Sequence, residues 1–242
     1  MGEAQVTVDA AAHVKGLLRE VFADVDVLRD QVVVLCERAR SEGRRPITTD
    51  LTEIRPTVLA HLSKAGRRLN GTGVITAPGM LADEPRWLEW WRKPGNTTEP
   101  RPLSVDLNPH HVGGYDYPAA EWFAVPQRTG QRVIVGPYVD YGGTDEYILT
   151  FATPIFACDE FFGVAAADIR ATDFEREMLP ILDSTGETTL LLNASGRVIA
   201  SNTPATIIGS MAPPAWRGGG RTLPAGPEWS YCAGLPWSLV QA

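Results

Sequence analysis

From residue 14 onward the apolar positions step by fours and threes: Val14, Leu18, Val21, Val25, Leu28, Val32, Leu35 and Ala39. That spacing sets them on one stripe of a helix over residues 6–40, with Glu20, Asp24, Arg29 and Glu37 on the wet face. A heptad seam of this kind packs along another helix. The partner is either a second helix of this chain or the same helix of a second copy, giving a homodimer through the N-terminal helix. SEGRRP at 41–46 ends the run with a Gly and a Pro. A second helix is predicted over 50–68 from Leu51, Ile54, Val58, Leu62 and Leu69, with Asp50 as its cap and Glu53 three residues on.

The pattern then changes from helical to alternating. GTGVITAP (71–78) reads as a strand, and RWLEWW (86–91) as a strand or a short helix. QRVIVGPYVDY, EYILTFATPIF and EFFGVAAADIR are rich in β-branched and aromatic residues. YGGTD and ACDE link them as short polar turns, so the three form an antiparallel meander. TDFEREMLPIL (172–182) is helical, capped by Thr172 or Asp173. TTLLLNASGRVIAS is a hairpin turning at Asn193–Gly196, and AGLPWSLVQA supplies a last strand. Helices followed by antiparallel strands define an α+β class. The expected units are a long helix over 1–45, a main lobe over 46–182 and a smaller lobe over 183–242.

Composition narrows the function. The chain of 242 residues is 44% hydrophobic and 21% charged, an ordinary globular balance. A net charge of −7 repels phosphate backbones, which argues against nucleic acid as a partner. Cys36, Cys158 and Cys232 are widely spaced and odd in number, so free thiols and a cytoplasmic location are expected. No leader pattern opens the sequence and no run of about 18 apolar residues crosses it, so no membrane association is expected.

Patterns for nucleophilic, phosphate-binding or metalloprotease chemistry are missing: GxSxG, GxxxxGK[ST], HExxH and GxGxxG do not occur. His110 and His111 are adjacent, which points their rings apart, so no metal is assigned. Asp106, Asp116, Asp140, Asp145 and Asp168 lack an accompanying nucleophile and base. The chain is therefore read as a non-enzyme without catalytic residues or cofactor.

The stretch 115–168 carries the main functional signal. Trp122-Phe123 fall on a short helix, Gly136, Pro137, Tyr138 and Asp140 on one strand, Thr150 and Pro154 on the next, and Asp168-Ile169 at the end of a Gly-Val strand. In this order and spacing the segment resembles the Cache family of sensor domains, in its double-Cache, PAS-like branch. The resemblance spans about residues 70–240. It implies a larger PAS-like lobe that holds a ligand, a smaller C-terminal PAS-like lobe, and output through a partner protein. Amino-acid-binding members of the family carry ligand-contacting positions that fall here on Tyr115, Trp122, Phe123, Tyr138, Asp140 and Asp168. Where they carry an arginine for the ligand carboxylate, this chain has Ala120.

The chemistry of those residue types is consistent with that departure. Carboxylates hold an ammonium group, and aromatic faces add about 0.5–2 kcal/mol each by cation–π attraction. The expected function is a sensor of a small cationic amine or amino compound. The alternatives are a carboxylate sensor using Arg128 or Arg132, and an interaction domain without ligand. Tyr117, Trp90 and Trp91 are weaker candidates for ligand contact, and Asp145 and Glu146 are assigned to an exposed turn.

Overall fold

A computed structural model describes residues 3–64, 69–95, 97, 99–216, 221–223 and 232–241. Helix α1 (Glu3–Ser41) buries its whole predicted seam from Val14 to Ala39. The seam does not lie along another helix for its length: it lies across a sheet, where Leu18, Leu28 and Val32 share a core with Leu149, Phe151, Ala165 and Ala167. A broad sheet offers the same continuous apolar surface as a partner helix, so a stepping pattern cannot tell the two apart. Asp24, expected on the wet face, is buried, with its Oδ1 3.8 Å from His61 Nε2.

The second helical region begins at α2 (Thr48–Leu51), passes through a 3-10 turn at Thr52–Ile54 and continues as α3 (Arg55–Ser63). Asp50 is not the cap residue but sits inside the first turn. Its carboxylate accepts the Ile47 N–H at 2.9 Å and is clasped by Arg44 at 2.6 and 2.9 Å. Pro56 lacks an N–H and sits at the start of α3, which divides the region into short pieces.

Strands follow: β1 (Leu69–Thr76), β2 (Leu88–Arg92) and a short β3 (Arg101–Pro102). Helix α4 (Glu121–Thr129) leads into β4 (Arg132–Val139), β5 (Tyr147–Ala157) and β6 (Glu160–Arg170), the antiparallel meander that the sequence predicts. The β5–β6 turn uses Cys158 and Asp159, both with positive φ (53° and 68°), which matches the twist of a two-residue hairpin. Helix α5 (Ala171–Asp183) starts one residue before the expected caps Thr172 and Asp173, with Arg170 in the cap position. Beyond it lie β7 (Thr189–Leu192), β8 (Val198–Ser201), β9 (Arg221–Leu223), β10 (Cys232–Ala233) and β11 (Trp237–Gln241). The β7–β8 turn is held as expected by Asn193, whose Oδ1 accepts the N–H groups of Ser195 and Arg197 at 3.0 and 2.9 Å.

Two sheets result, in the orders β10-β4-β5-β6-β1-β2-β3 and β8-β7-β11-β9. The large sheet is a sandwich filling between α1 on one face and α4 with its neighbouring loops on the other. Alternation along β5 assigns the faces: Leu149 and Phe151 point to α1, where the Phe151 ring meets Phe22 edge-on at 5.6 Å, while Thr150 and Ala152 point away. The small sheet docks through α5, where Phe174 packs edge-on against Trp237 at 5.7 Å. β10 pairs in parallel with β4 and so places a strand of the C-terminal part within the large sheet, a pairing that nothing in the local sequence marks. Among the described residues no helix is long and apolar enough to cross a membrane.

Candidate functional site

The face of the large sheet turned away from α1 carries a hollow of about 300 Å³. Its floor is set by strand register. Thr150 of β5 pairs with Asp168 of β6, and Asp168 pairs with Gly71 of β1, so the three stand side by side on one face. Apolar walls come from Ile75, Leu88, Leu103 and Ala166.

Tyr138 reaches the same face because β4 carries a bulge. Between Val135 and Tyr138 the register shifts by one residue, Gly136 and Pro137 together standing opposite the single residue Leu149. Without it, strict alternation would turn Tyr138 toward α1. Gly136 has φ 125°, and a Cβ there would lie 2.6 Å from the Ile148 carbonyl oxygen, so glycine is required. Asp140, two residues on from Tyr138, shares its side of the chain and closes the rim of the hollow.

Five of the six residues singled out from the sequence therefore line one hollow: Tyr115, Trp122, Tyr138, Asp140 and Asp168. Phe123 does not. It lies behind the wall, edge-on to Tyr117 at 5.2 Å and to Phe161 at 5.5 Å. Neighbours on a helix point about 100° apart, so once Trp122 faces the hollow Phe123 must face the core. Tyr117 is fully buried and donates its hydroxyl to the Thr76 carbonyl at 2.8 Å, a structural bond. Of the tryptophan pair, Trp90 lines the hollow, while Trp91 turns to the opposite face and donates Nε1–H to Glu89 at 3.0 Å.

Two lining residues, Thr150 and Thr144, escaped the sequence reading as site residues. Thr150 could have been found from strand parity, since it lies across from Asp168. Thr144 could not, because its turn reads as exposed, yet its backbone N–H donates to Asp140 Oδ2 at 2.7 Å and its hydroxyl at 3.1 Å. Glu146 in the same turn is likewise not exposed. It is partly buried, with Oε2 2.8 Å from Arg170 Nε, and it accepts from Asn70 Nδ2 at 2.7 Å. Asp145 is exposed as expected.

The electrostatics of the hollow are one-sided. Asp140 and Asp168 are 6% and 4% exposed, and among the described residues no Lys, Arg or His lines the space. Asp140 is held by the Tyr115 hydroxyl at 2.8 Å and by Thr144. Among the described residues Asp168 accepts one hydrogen bond, from Thr150 Oγ1 at 2.7 Å. Burial pushes the Asp168 carboxyl well above the ordinary carboxylate range, the nearby charge of Asp140 adds to the rise, and the Thr150 bond opposes it. Burial, together with the two aspartates, also raises the phenols of Tyr115 and Tyr138, so both stay protonated donors.

The other sequence candidates lie elsewhere. Arg132 turns to the helix side, 3.2 Å from Asp26 and with its guanidinium 4.6 Å from the Phe22 ring centre, and Arg128 is exposed on α4. His111 Nδ1 sits 2.6 Å from Asp106 Oδ2 at the surface, and no cluster of three metal-ligating side chains occurs among the described residues.

The architecture, two sheets with a long leading helix and a polar hollow on the larger sheet, is similar in fold to Cache-type (PDC) sensor domains. Residues 99–176 match the family model described as "Methyl-accepting chemotaxis protein-like, first PDC sensor domain". Among solved structures the chain is similar to "Methyl-accepting Chemotaxis protein X", at 16% identity and TM-score 0.63, covering 88% of this chain and 77% of that one. It is also similar to the ligand-binding domain of the Pseudomonas aeruginosa PAO1 amino acid chemoreceptor PctC in complex with GABA. That match has 17% identity and TM-score 0.58, with coverage of 96% and 94%. A third match is the extracellular domain of a protein named as a histidine kinase, mmHK1S-Z2, at 17% identity and TM-score 0.56, covering 86% and 75%. A search of curated protein sequences returns no match. The family model is named for a sensor domain and the PctC structure for a ligand-binding domain. Since the mmHK1S-Z2 match is an extracellular domain, the cytoplasmic location expected from the thiols gains no support from the comparisons.

Proposed function

We propose that this domain senses a small cationic amine, held as an ammonium ion between Asp140 and Asp168 and walled by Tyr115, Trp122 and Tyr138. One observation carries the reading: two buried carboxylates face a shared hollow that no positive side chain lines among the described residues. A buried carboxylate without a cation is costly, and a bound ammonium removes that cost. The aromatic walls suit a cation and repel an anion at their faces. Neither Arg128 nor Arg132 is placed to grip a carboxylate, which disfavours the alternative of a simple acid as ligand. The PctC domain binds GABA, an amine-bearing molecule, in the same fold.

Calorimetry with n-butylamine, putrescine, acetate and succinate tests the proposal. Amines bind and the acids do not; a clear preference for the acids overturns it. Burial favours the protonated form of Asp168 in the empty domain and an ammonium favours the ionised form, so amine binding is linked to proton release. Titrations in buffers of different ionisation heat therefore give different apparent enthalpies. Affinity rises with pH above the ordinary carboxylate range, while the amine itself stays charged.

A further inference from the structure

The hollow holds one polar group that an ammonium ion cannot satisfy. Trp90 lines it and is 5% exposed, yet its indole Nε1–H has no hydrogen-bond partner among the described residues. An unpaired buried donor of this kind costs about 1–3 kcal/mol, so native structures seldom leave one without a purpose. Trp87 Nε1 is also unpartnered, but Trp87 does not line the hollow.

The position of the indole is fixed by the strand next door. Trp90 on β2 pairs with Gly73, and its ring lies over Gly71, so near that a Cβ at residue 71 would sit 3.0 Å from Nε1. Gly71 is in turn the direct cross-strand partner of Asp168. The missing side chain at residue 71 thus lets the indole lie down beside the buried carboxylate. The arrangement presents an acceptor for a cation and, next to it, a donor for a neutral or negative oxygen.

We infer that Trp90 Nε1–H is a ligand contact and that the ligand class is narrower than amines at large: an ammonium that also carries a hydrogen-bond acceptor. This rests on the amine reading above. Amino alcohols, amino ethers and zwitterionic amino acids have that pattern; plain alkylamines lack it. The absent arginine then does not leave the acceptor end of the ligand unrecognised, because the indole N–H takes that end from the β2 side.

The test uses two amines of nearly equal shape, 2-methoxyethylamine and n-butylamine, which differ by an ether oxygen that can accept but not donate. Calorimetry on the native protein should favour 2-methoxyethylamine by about threefold to tenfold, the worth of one net hydrogen bond. Trp90→Phe should abolish that preference, bringing the ratio of the two affinities to about one. If the variant does not fold, the native protein still decides: the Trp90 indole N–H resonance should move downfield with 2-methoxyethylamine and not with n-butylamine. Equal affinities with an unmoved resonance overturn the role of Trp90 and leave the amine reading standing. Binding of neither amine overturns the amine reading, and the role of Trp90 falls with it.

Discussion

Asp168→Asn makes the empty domain more heat-stable at neutral pH and destroys its amine binding. The carboxyl is 4% exposed, accepts the Thr150 hydroxyl and faces the charge of Asp140. Its folded-state pKa is raised above the unfolded value, so the native state holds a proton that the unfolded chain releases. Native stability is therefore undiminished below the ordinary carboxylate pKa, about 3.9, and falls as pH rises from there through the raised folded value. Asparagine removes that loss and keeps an oxygen to accept the Thr150 hydroxyl. Each kcal/mol recovered moves the melting midpoint by about 2–4 °C in a chain of this size. Removing one member of a buried charge pair costs at least about 2 kcal/mol, so amine affinity drops by roughly thirtyfold or more. Melting curves of native and variant protein at acidic and neutral pH check the first half, since the two should converge in acid. A variant less stable than the native protein at neutral pH would show that the carboxylate serves the fold and not a ligand.

Phe151→Ala has the opposite profile. Phe151 is fully buried on the helix side of β5, edge-on to Phe22 of α1. Truncation leaves a cavity under the longest helix and lowers stability by about 3–5 kcal/mol. A urea titration reads this as a fall in the midpoint with little change in slope. The neighbouring residue Thr150 points into the hollow, so the folded fraction keeps its amine affinity within about twofold, as expected for mutations on separate faces with no shared partner. A large loss of affinity at full folding would mean that α1 and the hollow are coupled through β5, which is how a sensor passes its signal and would place the transmitting residue.

How much of the site is legible in the chain follows from how each residue is placed. Tyr115, Trp122, Tyr138, Asp140 and Asp168 are recognisable because their order and spacing accompany a strand pattern that repeats a known architecture. Phe123 is misplaced because adjacency along the sequence says nothing about which of two helical neighbours turns inward. Thr144 and Glu146 are hidden because a Gly-rich polar turn reads as solvent-exposed, whereas here it folds back over Asp140 and Arg170. Trp90 is visible as a candidate, but its unpaired donor becomes evident only with the indole laid over Gly71.

Local patterning alone determined the elements and the class. Stepping apolar residues make α1, alternation makes the β4–β6 meander, and Asn193 turns the β7–β8 hairpin, since each depends on neighbours a few residues apart. Tertiary structure decided that α1 covers a sheet, that β10 joins the large sheet in parallel, and that a bulge at Gly136 brings Tyr138 onto the face of Asp168. Those outcomes depend on register and on which surfaces meet, which are set by the free energy of the whole packed chain and leave no mark on any short window of sequence.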